Sequence, residues 1–151
     1  MIEIKDAIYA VLVADAGIVS MLGSAEAISS AWPATNAKFA AASTGVADYA
    51  TLPPTSADAP RARIAIATVS PIENTQAFIH DDDYQVSIFS LDERLVGALA
   101  RRVRDALNAT PLSLPAGLEF RETAASFGPD QFEQDTRLFH QPMNVHVRWI
   151  G

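Results

Sequence analysis

Between Tyr84 and Leu107 the hydrophobic period changes within a few residues from two to three-and-four, and this switch constrains the fold more than any other feature. Tyr84, Val86 and Ile88 alternate with Gln85, Ser87 and Phe89, the pattern of a strand with two distinct faces. Leu91-Asp92-Glu93 then opens a helix that the pattern carries to about Leu107. Asp92 can accept from the first free amides as an N-cap, and early acids suit the positive end of the helix dipole. Leu95, Ala98, Leu99, Val103, Ala106 and Leu107 form the apolar stripe that has to be laid on another element.

The other segments fit around that block. Residues 2–15 read as an amphipathic helix with Ile4, Ala7, Ile8, Val11 and Leu12 on one face; Gly17 is expected to end it, with one further turn from Ile18 to Leu22 before Gly23. Glu26 to Trp32 reads as a short strand rich in Ala and Ser, which are poor strand formers. Residues 33–60 hold Pro33, Pro53, Pro54 and Pro60 among Ala, Ser and Thr, and read as an inserted loop or arm, with one helical turn expected at Lys38 to Ala42. Arg61 to Val69 alternates as a strand, and Ser70, Pro71, Glu73 and Asn74 mark a turn. Gln76 to Ser90 reads as a strand or strand pair in which Asp81-Asp82-Asp83 is a bulge or a strand start. Asn108 to Pro115 stops the long helix, Leu118 to Thr123 is a further strand, and Thr136 to Ile150 is the last. Phe139, Met143, Val145, Val147 and Trp149 share one face of that strand, and His140, Asn144, His146 and Arg148 the other. Pro142 is expected to mark an edge or bulge, because it has no amide for the ladder. The expectation is a single α+β domain over residues 1–151: an antiparallel sheet of about four to five strands with two main helices packed on one face.

Composition narrows the function. A formal charge of −7 argues against a general nucleic-acid binder, which neutralises phosphates with Lys and Arg, although an acidic wall suits DNA that only has to slide past. No apolar run approaches the roughly 20 residues that span a bilayer, and the N-terminal residues lack a signal-peptide pattern, so no membrane partner is expected. The absence of cysteine removes disulfides, thiolate metal sites and Cys nucleophiles.

No residue set carries a catalytic signature. His80 beside Asp81, Asp82 and Asp83 resembles a metal cluster at first sight, but no calcium-loop pattern follows, and a solvated acidic turn is the better reading. His140 and His146, about 20 Å apart on one strand face, cannot share an ion and are expected to be exposed. Carboxylate pairs such as Asp92-Glu93 and Glu119/Glu122 fit caps and surface better than acid/base catalysis. No enzyme activity, metal or cofactor is therefore expected. Arg101, Arg102 and Arg104 share their helix with Asp92, Glu93 and Asp105, a mixed face that reads as a salt-bridge seam between subunits.

Three blocks carry a resemblance: the opening helix Met1 to Leu22; Asp83-Tyr84-Gln85-Val86-Ser87-Ile88-Phe89-Ser90 running into the helix that ends Arg101-Arg102-Val103-Arg104-Asp105-Ala106-Leu107; and Asp135 to His140 followed by Val145-His146-Val147-Arg148-Trp149. Together they cover about half the chain, and the pattern resembles the tail-completion, or tail-terminator, proteins of long-tailed bacteriophages. The 33–60 region departs from that family, which usually has a short link there. The resemblance implies a structural virion protein at the head–tail junction, made in the host cytoplasm. It implies a ring, typically of six copies, that terminates the tail tube and meets the head-side connector or stopper, with double-stranded DNA passing through its centre without specific binding. On this reading Arg101, Arg102, Arg104, Asp81, Asp82 and Asp83 are the candidate interface residues, together with the edge strands and long loops. Another connector or tail-tube component is the alternative within the virion, and a small metal- or ligand-binding enzyme domain using His80 and the acidic run is the alternative outside it.

Overall fold

The computed structural model describes residues 4–34, 36–41, 52–72 and 78–151. In chain order these form α1 (Ile4–Ala14), α2 (Ala16–Leu22), a 3-10 turn (Ala25–Ala27), β1 (Ile28–Ser29), β2 (Ala62–Ile72), β3 (Ile79–Ser90), α3 (Glu93–Ala109), β4 (Glu119–Phe127), β5 (Gln131–Glu133) and β6 (Leu138–Ile150). The sheet runs β1-β2-β3-β6-β4, with β5 also paired to β6. The architecture is the expected α+β one, with six strands instead of four to five; the short β5 is the one not expected. One pair, β1 with β2, is parallel rather than antiparallel. Of the expected strand at Glu26 to Trp32 only two residues pair, because the chain turns at once, with Ala31 N–H donating to Ser29 Oγ.

All helices lie on one sheet face. Ile64, Ile66, Val86, Ile88, Met143, Val145 and Val147 from the three central strands meet Ile8 and Leu12 of α1, Ile18 and Leu22 of α2, and Leu95, Leu99, Val103 and Leu107 of α3. The alternation along β3 and β6 and the stripe along α3 thus build the same core. A smaller cluster forms on the opposite face, where Phe39 of the loop segment packs on Ala65, Phe89 and Leu138.

The first helix breaks at Asp15 and not at Gly17. The Asp15 carboxylate accepts from Ile18 N–H at 3.1 Å and caps α2, and it also accepts from Arg102 Nε at 2.9 Å. Gly17 lies inside α2 because the Arg102 guanidinium crosses above it; a Cβ there would stand 2.2 Å from Arg102 Cζ. Gly23, at φ 89°, closes α2 as a left-handed C-cap, as the sequence led one to expect.

The root of the 33–60 segment is clasped to that helix end. Residues 36–41 contain no helical turn, and Ala42 lies outside the described residues. Thr55 N–H donates to Gly23 O, Arg61 N–H to Leu22 O, and Ser20 Oγ–H to Leu52 O. The Arg61 side chain, 5 % exposed, donates to Ser20 O and to Pro53 O. Its charge therefore meets the Ser20 carbonyl in the last turn of α2 and the Pro53 carbonyl of the loop rather than a carboxylate.

The two strand boundaries around residue 72 differ from expectation. Ser70 and Pro71 are paired within β2, across a register shift after Thr68, and Glu73, Asn74 and Gln76 lie outside the described residues. The long helix runs on to Ala109, and β4 to Phe127. Pro142 is neither at an edge nor a bulge: it sits in β6, opposite Ser87 of β3. Its carbonyl accepts from Gly128 N–H, so its missing amide points to the same side, where β4 has ended and β5 not yet begun. The Gln141 side chain fills that gap by donating to Gly128 O and Pro142 O.

Replacing Arg61 by Met keeps the stem and removes the donors. It should cost roughly 2–3 kcal/mol, as expected for losing the charge-assisted bonds of a buried guanidinium, and lower the urea midpoint with an unchanged m-value.

Candidate functional site

Twelve consecutive pairings join β3 to β6, from Ile79↔Ile150 to Ser90↔Phe139, and they decide where the acidic run points. Asp83 lies opposite His146 and Asp81 opposite Arg148, on the face away from the helices. The next strand places Glu122 of β4 opposite Arg148. The expected solvated turn is thus an ordered cross-strand cluster. His146 Nδ1 lies 2.8 Å from Asp83 Oδ1 and Nε2 lies 3.0 Å from Asp81 Oδ1. Arg148 Nε donates to the same Asp81 oxygen at 2.8 Å. Asp81 is 9 % exposed, and such a carboxylate persists only because cations meet it. Asp82 points to the helix side, where Trp149 Nε1–H donates to it at 2.9 Å; His80 stacks on that indole with centroids 4.0 Å apart.

Both ring nitrogens of His146 face carboxylate oxygens, and only the doubly protonated ring can donate to both. Its pKa is accordingly raised above the ordinary 6.5, first by the hydrogen bond to Asp83, then by Asp81, against the opposing effect of burial. The hydrogen bond from Arg148 leads in holding Asp81 below the ordinary 3.8, with His146 adding to it against burial.

The other expected pair behaves differently. His140 is 4 % exposed, not open to solvent. It stacks on Phe89 at 4.3 Å and meets the edge of Trp32 at 5.1 Å. Burial pushes its pKa down, against a weaker upward pull from Glu133. The strand alternation alone put His140 on the outer face; Trp32 and Phe39, from outside the sheet, cover that end of it.

The three arginines of α3 do not act as one patch. Arg102 reaches back to Asp15 at 2.9 Å. Arg104 pairs with its neighbour Asp105 at 3.1 Å and lies 4.7 Å over the Phe127 ring of β4. Arg101 is exposed and, among the described residues, has no ion pair. The arginines lie on the helix side of the sheet and Asp81 and Asp83 on the other, while Asp82, on the helix side, is held by Trp149, so the fold does not bring the six candidate residues together. Neither Asp15 nor Asn108 stood out in the sequence. The Asn108 amide donates to Ala125 O and accepts from Ala125 N–H, clamping the outer edge of β4 at 3.3 and 2.8 Å. Among the described residues no group of three or more His, Asp or Glu side chains is arranged to hold a metal ion, and no helix is long and apolar enough to cross a membrane.

No family model matches the sequence, and no curated protein matches it. Among solved structures, the chain is similar to one from the virion of a native gene transfer agent particle. The TM-score is 0.64 at 16 % identity, and the match covers 97 % of this chain and 94 % of that one. The two share a fold over nearly their whole length.

The two histidines should titrate on opposite sides of 6.5, His146 above and His140 below, in side-chain NMR spectra. A raised His146 pKa gives stability that is complete below 6.5 and lost as pH rises through the folded value. The stability difference between wild type and His146→Asn should therefore be largest in mild acid and vanish in alkali. At the acid end, Asp81 contributes stability that is present above 3.8 and lost as pH falls through its lowered value.

Proposed function

We propose that the protein is a structural subunit of a phage-like virion that assembles into a ring, typically of six copies. The ring terminates the tail tube and joins it to the head-side connector or stopper at the head–tail junction. The observation that carries this reading is the shared fold with a gene transfer agent virion chain, which spans both chains almost end to end. It agrees with the resemblance of the opening helix, the strand-to-helix block and the last strand to tail-terminator proteins. A charge of −7 suits a channel through which DNA slides without being held. A head-to-tail contact repeated around an axis closes when its rotation divides a full turn, and it uses two different surfaces of each copy.

On this reading Arg101, Arg102 and Arg104, Asp81, Asp82 and Asp83, the edge strands and the 33–60 segment of a single 1–151 domain supply contacts to neighbours or to the tail tube. The neighbour's description names a particle and not a position within it. That supports a second reading, another connector or tail-tube component of the same small α+β type. Binding of the purified protein to isolated tails or to portal-bearing heads separates the two.

Light scattering followed by negative-stain imaging should show an open-centred ring of the purified protein, alone or on tail ends. Reversing two charges together, Arg101→Glu with Arg104→Glu, should abolish the ring while leaving the far-ultraviolet circular dichroism unchanged. An intact ring in that variant removes the arginine seam from the model of assembly.

A further inference from the structure

An unpaired strand edge offers its amides and carbonyls as a template on which another chain can add a strand. Two stretches of edge in this sheet combine an open backbone with apolar surface that nothing described covers. On its outer side β2 pairs only through Ile64 and Ala65, with Ile28 and Ser29 of β1. The chain then turns away, with Ala31 N–H donating to Ser29 Oγ, so no strand among the described residues pairs that side from Ile66 onward. A pocket of about 250 Å³ lies there on the helix side, between Lys5 and Tyr9 of α1 and Ile28, Ser30 and Ile66. At the other side of the sheet, β5 pairs with β6 by one edge only. Its Phe132 is 50 % exposed and stands on the helix side with Phe139, the ring centroids 5.0 Å apart. The neighbouring β4 edge is clamped by Asn108. Other exposed apolar side chains have no such edge: Phe127 lies under Arg104, Trp32 meets Phe89 and His140, and Phe78 and Leu91 are outside the strands.

We infer that β5 of one copy adds as a strand to the open edge of β2 in a second copy, seating Phe132 in the pocket between α1 and that edge. The inference rests on the ring reading and names the two surfaces that make the ring. The geometry of the sheet selects the occupant. The two open edges lie on opposite sides of one sheet, so each copy carries both halves of a head-to-tail contact. Side chains keep their face when a sheet is continued, and Phe132 and the pocket are both on the helix side. Direction fits as well. Every pair from β2 through β3 and β6 to β5 is antiparallel, so the β2 of a neighbour rotated about a ring axis meets β5 antiparallel too. The edges are not level. Phe132 stands opposite Phe139, Phe139 opposite Ser90, and Ser90 opposite Ala62, whereas the vacant stretch begins at Ile66, about 13 Å further along the strand. Such a stagger tilts the strands of a sheet that closes on itself.

The chain has no cysteine, so two single-thiol variants mixed together report only on contacts between copies. Gln131→Cys on β5 and Ala67→Cys on β2 both place the thiol on the helix-free face and leave Phe132 and the pocket as they are. Mixed at the highest soluble concentration and treated with a short bismaleimide, they should give a covalent heterodimer, with mass spectrometry locating the bridge at the two thiols. Ser126→Cys on β4, used in place of Gln131→Cys, should give about tenfold less, as a contact outside the interface core would. Ser30→Trp fills the pocket from an exposed position, and Phe132→Ser removes the side chain that enters it. Each should cut the heterodimer about tenfold or more, as loss of a buried aromatic anchor does, with the circular dichroism unchanged. No heterodimer, an equal yield from Ser126, or a yield indifferent to Ser30→Trp overturns the pairing. Light scattering on the unmodified protein reads the ring separately. A ring without the heterodimer overturns the edge pairing alone. The heterodimer in open chains of copies, with no closed ring, upholds the pairing and overturns the ring.

Discussion

The unbroken antiparallel pairing of β3 with β6 is the constraint on which the rest depends. It sets Val86 and Ile88 beside Met143 and Gln141 on the helix side, and Asp83 and Asp81 beside His146 and Arg148 on the other. A slip of one residue would turn every one of these side chains to the wrong face. The core and the charged cluster are therefore two consequences of a single register. The acids are held at one end of the sheet because their cationic partners lie on the adjacent strand, and not because that end is a turn.

Around this pair the fold is closed by side chains acting on backbone groups. Asp15 caps α2 and engages Arg102 of α3, so one carboxylate both breaks the first helix and ties it to the third. Arg61 ties the Ser20 carbonyl at the other end of α2 to the Pro53 carbonyl of the loop. Asn108 occupies the outward amide and carbonyl of Ala125, and a register shift between Phe120 and Glu122 bends the same strand. These are ways of blunting a free edge, and they make continuation of the sheet from β4 into a neighbour a poor basis for assembly.

Much of this was legible beforehand. The strand-to-helix switch at Tyr84–Leu107, the Asp92 cap, the Gly23 stop and the apolar face of the last strand all follow from local periodicity and capping, which need no knowledge of partners. What was not legible depended on distant contacts. Gly17 read as a helix end because glycine often is one, but here it makes room for Arg102, which lies 85 residues away in the chain. Pro142 read as an edge because prolines are confined to edges, but a gap between β4 and β5 frees that side of an inner strand. His140 read as exposed because its strand face was polar, but it stacks on Phe89 and Trp32 meets it from outside the sheet.

The sequence by itself determined the α+β class, the position of the long helix, the two faces of β3 and β6, and an acidic surface with no cysteine chemistry. Those properties are set by residues within a few positions of one another, or by simple counts. Only the tertiary structure decided which charges neutralise each other, which histidine is buried, and which arginines remain unpaired. The reason is that Asp81 with Arg148, Asp83 with His146, and Asp15 with Arg102 are each joined across more than sixty residues. The energy of a charge depends on what stands within a few ångströms of it, and that neighbourhood exists only once the chain has folded.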